Sequence, residues 1–294
     1  MIGPYNTPEA FRVALETRLR NTAQSQVADL QRLRRRVAFE RLLARLFVQD
    51  NPPWLLKGGY ALELRLQDQA RSTLDLDLSV PDLEHLGLLA EIDSGISPME
   101  AVYEHLQQAA EYDLGDGFSF LIGQPKKEQT GAPAGNARCS VEARLAGRTF
   151  VRFRLDIGLG DPVLNQPDWL EGSAQLAFAG IPATQVAVYP LDQQFAEKIH
   201  AYTYPWQNRD NTRVKDMVDL VLLAHLKQLN LNHVKRALAA TFETRGTHPL
   251  PTHLPEPPAA WSKPYAAIAQ ELELPVATLQ QAYACLNAYW QGIK

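Results

Sequence analysis

The stretch from Trp54 to Val80, WLLKGGYALELRLQDQARSTLDLDLSV, decides the fold that we expect for this chain. Near its end, Asp75, Asp77 and Ser79 alternate with three leucines and a valine. Strict alternation of polar and apolar residues is typical of a strand with one buried face. Side chains two positions apart lie on the same side of a strand, at a rise of roughly 3.3 Å per residue. We therefore expect both carboxylates side by side on the solvated face, about 6–7 Å apart at the backbone.

Two carboxylates in this position repel each other unless a cation lies between them. A pair of divalent metal ions about 3.5–4 Å apart is one common arrangement. The alternative is an ordinary solvated strand face. Upstream, Gly58 and Gly59 precede an apolar helical pattern. Glycines at a helix start let the backbone approach a ligand closely, and the free amides there favour an anion such as phosphate. An ordinary turn is the alternative for the glycines.

The combination of both features resembles the nucleotidyltransferase fold of the DNA polymerase β-like superfamily, in which a Gly-Gly or Gly-Ser turn precedes Asp-x-Asp. More narrowly, the chain resembles the AbiEii/AbiGii toxin family, which includes the MenT toxins. Members carry a Lys-Gly-Gly-x-x-Leu run and an Arg-x-Thr-x-Asp-x-Asp run. The corresponding runs here are Lys57–Leu62 and Arg71–Asp77. By resemblance, the NTP-binding residues are Lys57, Gly58, Gly59, Arg71 and Thr73.

Composition restricts the class of protein. The chain has 294 residues, 46% of them hydrophobic, and a net charge of −4, so it is not a general polyanion binder. Two distant cysteines form no disulfide framework and fit a reducing cytoplasm. No apolar run is long enough for a membrane span, and the N-terminus lacks a signal-peptide pattern. The histidines show no metal-binding spacing, and Ser and Cys nucleophile motifs are absent.

An arginine-rich segment is expected to form a helix within residues 27–47. Its apolar residues recur at helical spacing, and few acids accompany its arginines. Clustered arginines supply charge and bidentate forks for phosphate, which predicts an RNA-backbone contact through Arg32, Arg35 and Arg36. A solvated helix face is the alternative.

A β-hairpin is expected farther along, with strands at Cys139–Leu145 and Thr149–Ile157. On the second strand, Arg152, Arg154 and Asp156 alternate with apolar residues. The nucleotidyltransferase fold takes a third metal-binding carboxylate from a neighbouring strand, and by resemblance this residue is Asp156. Asp161 is a competitor, although the glycines beside it place it in a turn. A structural ion pair between Asp156 and an arginine is the other alternative.

Two further motifs lie in a region that is helical by pattern. Glu197-Lys198 lies on a helix that we expect to begin with Asp192 as its cap. An Arg-x-Lys-Asp-x-x-Asp-Leu run follows at Arg213–Leu220. The AbiEii-like family carries both motifs in this order after Asp-x-Asp. By resemblance, Lys198 neutralises the triphosphate, and Asp216 either orients Lys198 or acts as a base toward the acceptor.

The resemblance implies an α+β fold with a mixed sheet and flanking helices in residues 1–190, and a helical domain in residues 191–294 that completes the active-site cleft. Asp75, Asp77 and Asp156 would hold Mg²⁺ or Mn²⁺, and the catalytic set would be Asp75, Asp77, Lys198 and Asp216. The implied activity is transfer of NMP from an NTP to the tRNA 3′ end, which blocks aminoacylation and arrests growth in a toxin–antitoxin or phage-defence system. The expected partner is an AbiEi-like winged-helix antitoxin. Two alternatives remain: AMP transfer to a protein hydroxyl, and a non-catalytic NTP-binding regulatory module.

Overall fold

The computed structural model describes residues 2–49, 52–82, 95–127, 132–206, 210–226 and 228–293. The chain divides into two compact units. The first comprises Met1–Leu64, Ser72–Gly160 and Pro167–Val188. The second comprises Arg65–Arg71, Asp161–Gln166 and Tyr189–Lys294. Each unit therefore combines segments that are distant in sequence.

The first unit is built on one mixed sheet, to which the described residues contribute eight strands. The strands are β1 Leu55–Lys57, β2 Asp75–Val80, β3 Phe118–Ile122, β4 Lys126–Lys127, β5 Gly135–Leu145, β6 Arg148–Leu159, β7 Asp168–Glu171 and β8 Gln185–Val188. Their order across the sheet is β3-β5-β6-β2-β1-β8-β7, and β4 pairs with β5 beside β3. Strand β2 lies between β1, which is antiparallel to it, and β6, which is parallel.

Alternation along the strands separates a buried face from a solvated one. In β2, Leu76 and Leu78 are fully buried, while Asp75 and Asp77 are half-buried. The alternation ends at Ser79, which is buried although it continues the polar positions. In β6, Phe153, Leu155 and Ile157 are buried in the same way, with polar residues between them. This is the pattern expected when one face of a sheet packs against helices and the other contacts water.

Helices α1 Pro8–Ser25, α2 Leu30–Leu46 and α4 Pro98–Ala110 supply apolar side chains to the core of the first unit. Helix α3, Gly58–Leu66, follows β1 directly. The N-terminal amides of α1, α2 and α4 are capped by Thr7, Asp29 and Ser97, whose side-chain oxygens accept hydrogen bonds from backbone N–H groups two or three positions on. Thr7 followed by Pro8 is a sequence pattern typical of a helix start, and α1 begins there. The arginine-rich segment that was expected to be helical within residues 27–47 forms α2, which is separate from α1.

The second unit is helical, with helices α5 Leu191–Thr203, α6 Val214–His225, α7 Leu231–Arg245, α8 Ser262–Glu271 and α9 Leu279–Ile293. Helix α5 packs against both α6 and α7, and α9 packs against α6. The expectation that Asp192 caps α5 is wrong, because the helix already begins at Leu191, after Pro190. Asp192 instead lies in the first turn and accepts a hydrogen bond from Asn165 Nδ2 at 2.6 Å.

Some other local expectations differ from the structure. The segment from Gln124 to Ala137 is rich in Gly, Pro, Lys and Thr, a composition that predicts a loop. It contains β4 and the start of β5 instead, and residues 128–131 lie outside the described residues. The sequence also predicts a connecting segment from Pro81 to Ser97, and most of that segment lies outside the described residues. Prolines are frequent from Pro249 to Pro264, a composition that predicts a break between helices. Helix α8 nevertheless begins inside this segment. A helix tolerates proline in its first turn, so Pro264 does not prevent α8 from forming there.

Candidate active site

The sheet register brings two predicted metal ligands together. Asp77 on β2 is paired directly with Asp156 on the parallel strand β6. On its other side, Asp77 is paired with Lys57 on β1. Neighbouring strands lie roughly 4.8 Å apart, and residues paired across them point to the same face. Asp77 and Asp156 are therefore adjacent like charges on the solvated face, with a lysine next to Asp77.

Gly58 lies against the carboxylate of Asp77. Its φ angle is +69°, a left-handed conformation that L side chains rarely adopt. A Cβ placed on Gly58 would lie 2.0 Å from Asp77 Oδ2 and 2.8 Å from Asp77 Cβ. Both the backbone angle and the available space therefore require glycine here. The close approach brings the first residue of α3 next to the carboxylate that the sequence predicted to hold a metal. Gly59 is buried in the same helical turn.

Arginines from the hairpin neutralise the outer two carboxylates. Arg154 Nε donates to Asp75 Oδ1 at 2.8 Å. Arg138 donates to both oxygens of Asp156, from Nε to Oδ1 and from Nη2 to Oδ2, each at 2.7 Å. Such bidentate pairs fix the orientation of the carboxylate as well as its charge. The structural ion pair considered for Asp156 from the sequence is thus present, with Arg138 as the partner.

The donor chemistry of this face fits a hard divalent cation, since three carboxylates supply only oxygen ligands. Asp75, Asp77 and Asp156 are the residues that would bind it. Among the residues that the structure describes, however, no three His, Cys, Asp or Glu side chains are grouped as a metal site. Asp156 and Asp75 are instead paired with the guanidinium groups of Arg138 and Arg154. Asp161, the competing candidate, pairs instead with Arg245.

A second polar cluster lies within the helical unit, around Lys198 of α5. Lys198 Nζ donates to Asp219 Oδ2 at 2.7 Å and to Asp216 Oδ1 at 3.1 Å, both on α6. Arg71 donates to both oxygens of Asp219, from Nε at 2.9 Å and from Nη2 at 2.7 Å. Arg213 Nη1 approaches Asp216 Oδ2 at 3.4 Å. The cluster is a network in which each carboxylate contacts two cations.

Burial makes this network electrostatically strong. The side chain of Lys198 is 10% exposed and that of Asp219 is 1% exposed. Burial acts to lower the pKa of Lys198, but the nearby Asp219 and Asp216 outweigh it, and the pKa is raised above its usual range. Burial likewise acts to raise the pKa of Asp216, but Lys198 and Arg213 outweigh it, and that pKa is lowered. Lys198 and Asp216 are therefore both charged at neutral pH.

Asp219 is a member of this cluster that the sequence reasoning missed. It belongs to the Arg213–Leu220 run, but no role was assigned to it, although it contacts both Lys198 and Arg71. Its position three residues after Asp216 was an available signal, because side chains at i and i+3 lie on the same helix face. The partnership with Arg71 had no local signal, since 148 positions separate the two residues.

The remaining predicted residues are held by contacts within the first unit. Thr73 is buried, and its hydroxyl donates to the backbone oxygen of Asp75 at 3.2 Å, at the start of β2. Arg32 and Arg36 both lie near Glu63 Oε1, at 3.4 and 3.3 Å. Arg35 Nη2 lies 3.5 Å from Asp29 Oδ2. Acids from α3 and from the start of α2 thus accompany these arginines.

Comparison with known proteins identifies the family. The family model described as nucleotidyl transferase AbiEii toxin, type IV toxin–antitoxin system, matches residues 41–285. No curated protein matches the chain. Among solved structures, the chain is similar to MenT4, a nucleotidyltransferase toxin from Mycobacterium tuberculosis H37Rv, at 19% identity and a TM-score of 0.54, over 95% of this chain and 96% of that one. At this identity the likeness shows the fold, and the expected α+β nucleotidyltransferase fold is confirmed.

The match covers most of the chain, including the Asp-x-Asp strand, the hairpin and the Lys198 cluster. None of the helices described by the structure is both long and apolar enough to cross a membrane. An NTP substrate and an antitoxin partner follow from the family. The chain belongs to the AbiEii family of nucleotidyltransferase toxins from type IV toxin–antitoxin systems, and it is an NTP-dependent nucleotidyltransferase.

Proposed function

We propose that this toxin transfers NMP from an NTP to the 3′ end of tRNA and thereby blocks aminoacylation and translation. The observation that carries the catalytic part is the direct pairing of Asp77 with Asp156, with Gly58 packed against the Asp77 carboxylate. Adjacent carboxylates on a partly exposed face repel each other, and the ion pair of Asp156 with Arg138 offsets one of the two charges. A site that binds cationic and phosphate groups accounts for both the charges and the glycine.

In this proposal Asp75, Asp77 and Asp156 hold Mg²⁺ or Mn²⁺. When bound, the metal supplies charge that stabilises the attacking and leaving oxygens of nucleotidyl transfer. The backbone amides at Gly58 and Gly59 hold phosphate oxygens of the NTP, since helix N-terminal amides favour anions. Lys57, next to Asp77 in the sheet, adds a positive charge for the same phosphates. Thr73 positions Asp75 through its hydrogen bond to the backbone oxygen of that residue.

Lys198 is proposed to act in the same reaction as a cation toward the triphosphate. Its raised pKa supports this role, because the ammonium group remains charged at all physiological pH values. A cation in a partly dry environment interacts more strongly with phosphate than a surface lysine does. Asp216 and Asp219 orient the ammonium group, and Arg71 fixes Asp219 from its other side. Of the two roles considered for Asp216, its contact with Lys198 supports orientation.

The toxin's partners are proposed from the family resemblance. The acceptor is tRNA, contacted by Arg32, Arg35 and Arg36 on α2, and the protein acts in the cytoplasm. The antitoxin is an AbiEi-like winged-helix repressor encoded separately. Growth arrest follows because tRNA with an altered 3′ end is not aminoacylated, and such an arrest serves phage defence.

Incubation of the purified protein with each of the four α-labelled NTPs and a total cell lysate tests the proposal. We expect label in RNA of tRNA size, with none when Asp77→Asn replaces the wild type. Sequencing of tRNA 3′ ends after induced expression should show added nucleotides. Label that follows protein would refute the RNA acceptor and support AMP transfer to a hydroxyl. No label in either fraction, with NTP binding intact, would support a regulatory NTP-binding module.

A further inference from the structure

A row of charged residues crosses five strands of the sheet in direct register. Asp77 is paired with Lys57 on one side and with Asp156 on the other. Asp156 is paired in turn with Arg138 on β5, and Arg138 with Lys126 on β4. Since directly paired residues point to the same face of a sheet, the row continues the proposed catalytic face beyond Asp156.

The row has an ordered charge pattern. Read from β4 to β1, it contains two cations, two carboxylates and one cation. Gly58 and Lys57, which are proposed to hold the NTP, lie at the β1 end. Lys126 and Arg138 lie at the opposite end, roughly 10–15 Å from β2 at a strand spacing of about 4.8 Å. The two cations therefore lie across the carboxylates from the proposed NTP-binding residues.

Both cations are accessible to a ligand. The side chain of Arg138 is 34% exposed although it pairs with Asp156, and Lys126 is exposed. A guanidinium has five donors in a planar fork, so one that holds a carboxylate can donate to a phosphate as well. A lysine and an arginine on adjacent strands, about 5 Å apart at the backbone, provide charge for successive phosphates of one strand.

We propose that Lys126 and Arg138 bind backbone phosphates of the acceptor RNA strand and so form the acceptor side of the site. The inference rests on the proposed function, which requires an acceptor hydroxyl on the side of the carboxylates away from the triphosphate. Arg138 both orients Asp156 and contacts the phosphate backbone of the RNA. The two roles together place the end of the acceptor strand next to Asp156.

Binding of a labelled single-stranded RNA oligonucleotide, measured by fluorescence anisotropy in EDTA without NTP, tests the proposal. Arg138→Gln and Lys126→Gln should each lower the slope of log K against log salt by about 0.7, the value for one single-strand phosphate contact. If the variant and the wild type bind equally at 1 M salt, this change in slope makes the variant bind about fivefold more weakly than the wild type at 0.1 M salt. The matched control is Arg148→Gln, which removes the same charge at the exposed far end of β6; its binding should equal that of the wild type.

A double variant tests whether Arg138 contacts RNA or only pairs with Asp156. Asp156→Asn should strengthen RNA binding, since it removes a competing carboxylate. Arg138→Gln in the Asp156→Asn background should still weaken binding. If it has no effect there, or if Arg138→Gln matches Arg148→Gln in the wild-type background, the proposal is overturned. This comparison also remains informative if Arg138→Gln alone fails to fold, because Asp156→Asn removes the unpaired carboxylate.

Two parallel measurements identify the ligand and separate this proposal from the proposed function. Weaker ATP binding with unchanged RNA binding in Lys126→Gln and Arg138→Gln would assign the cations to the NTP and overturn the proposal. Unchanged RNA binding with reduced labelling of a protein acceptor would overturn it in favour of a protein ligand. Loss of RNA affinity in a protein that transfers no nucleotide would refute the proposed function and leave the RNA surface standing.

Discussion

Replacement of Gly58 by alanine should displace Asp77 and reduce nucleotidyl transfer. The added Cβ would lie 2.0 Å from Asp77 Oδ2, 2.5 Å from Cγ and 2.8 Å from Cβ of the same residue. Rotation of the aspartate side chain cannot relieve the last contact, because the Cβ atom is fixed to the strand backbone. Strand β2 or the start of α3 must therefore move, by roughly 1 Å to restore ordinary contact distances.

The expected cost has two parts. The left-handed φ of +69° costs an alanine about 1–2 kcal/mol. Overpacking of a fitted site adds about 1–3 kcal/mol. For the reaction, a misplacement of roughly 1 Å in a positioned group can cost about a hundredfold in rate. We therefore expect Gly58→Ala to lose about 2–5 kcal/mol of stability and about a hundredfold in transfer rate.

Gly147→Ala is the matched control. Gly147 has nearly the same φ, +70°, but no atom lies within 4 Å of the position of its Cβ. It should lose only the backbone part, about 1–2 kcal/mol, with an unchanged transfer rate. Urea unfolding and transfer of labelled NMP measure the two quantities. Equal losses of stability and rate in both variants would refute the reasoning from the close approach of Gly58 to Asp77.

Other perturbations test the remaining charges. Lys198→Met should lose about 3 kcal/mol in urea unfolding, because two buried carboxylates each lose one of their two cations. Lys215→Met, an exposed change on the neighbouring helix α6, should stay within about 0.5 kcal/mol; equal losses would contradict the buried network. Asp77→Asn, or excess EDTA with the wild type, should abolish transfer without unfolding, and activity in either condition would refute metal dependence. Burial lowers the pKa of His200 to about 3. Below about pH 6.5, His200 therefore takes up a proton in the unfolded chain but not in the folded one. The free energy of unfolding should fall as the pH falls from about 6.5 to 3, and it should fall less in His200→Gln. Arg35→Glu should lower the salt slope of tRNA binding by about 1, and an unchanged slope would leave a solvated helix face.

The sequence determined the local elements of the site. The alternation around Asp75 and Asp77 predicted β2 and its solvated face, and the glycine pair predicted the start of α3. The hairpin around Ala146-Gly147 was predicted from two alternating runs and a turn signal. These features depend on periodicity and backbone freedom, which neighbouring residues specify.

The sequence did not predict which partners the charged side chains contact. Arg36 lies on a helix that carries few acids of its own, yet it lies 3.3 Å from Glu63 on another helix. Arg138 was not singled out, although it holds both oxygens of Asp156. Asp192 was expected to cap its own helix and instead bonds Asn165. In each case the local pattern was sufficient to predict the element and insufficient to predict the contact.

The tertiary structure alone decided which charges meet. Arg154 and Asp75 are 79 residues apart, and only the parallel pairing of β6 with β2 makes them neighbours. The same register aligns Asp77 with Asp156, and a shift by one residue would point one carboxylate into the core. Arg71 and Asp219 meet across 148 residues. Local periodicity specifies the face on which a side chain lies, whereas strand register and helix packing, set by burial of the whole core, specify its partner.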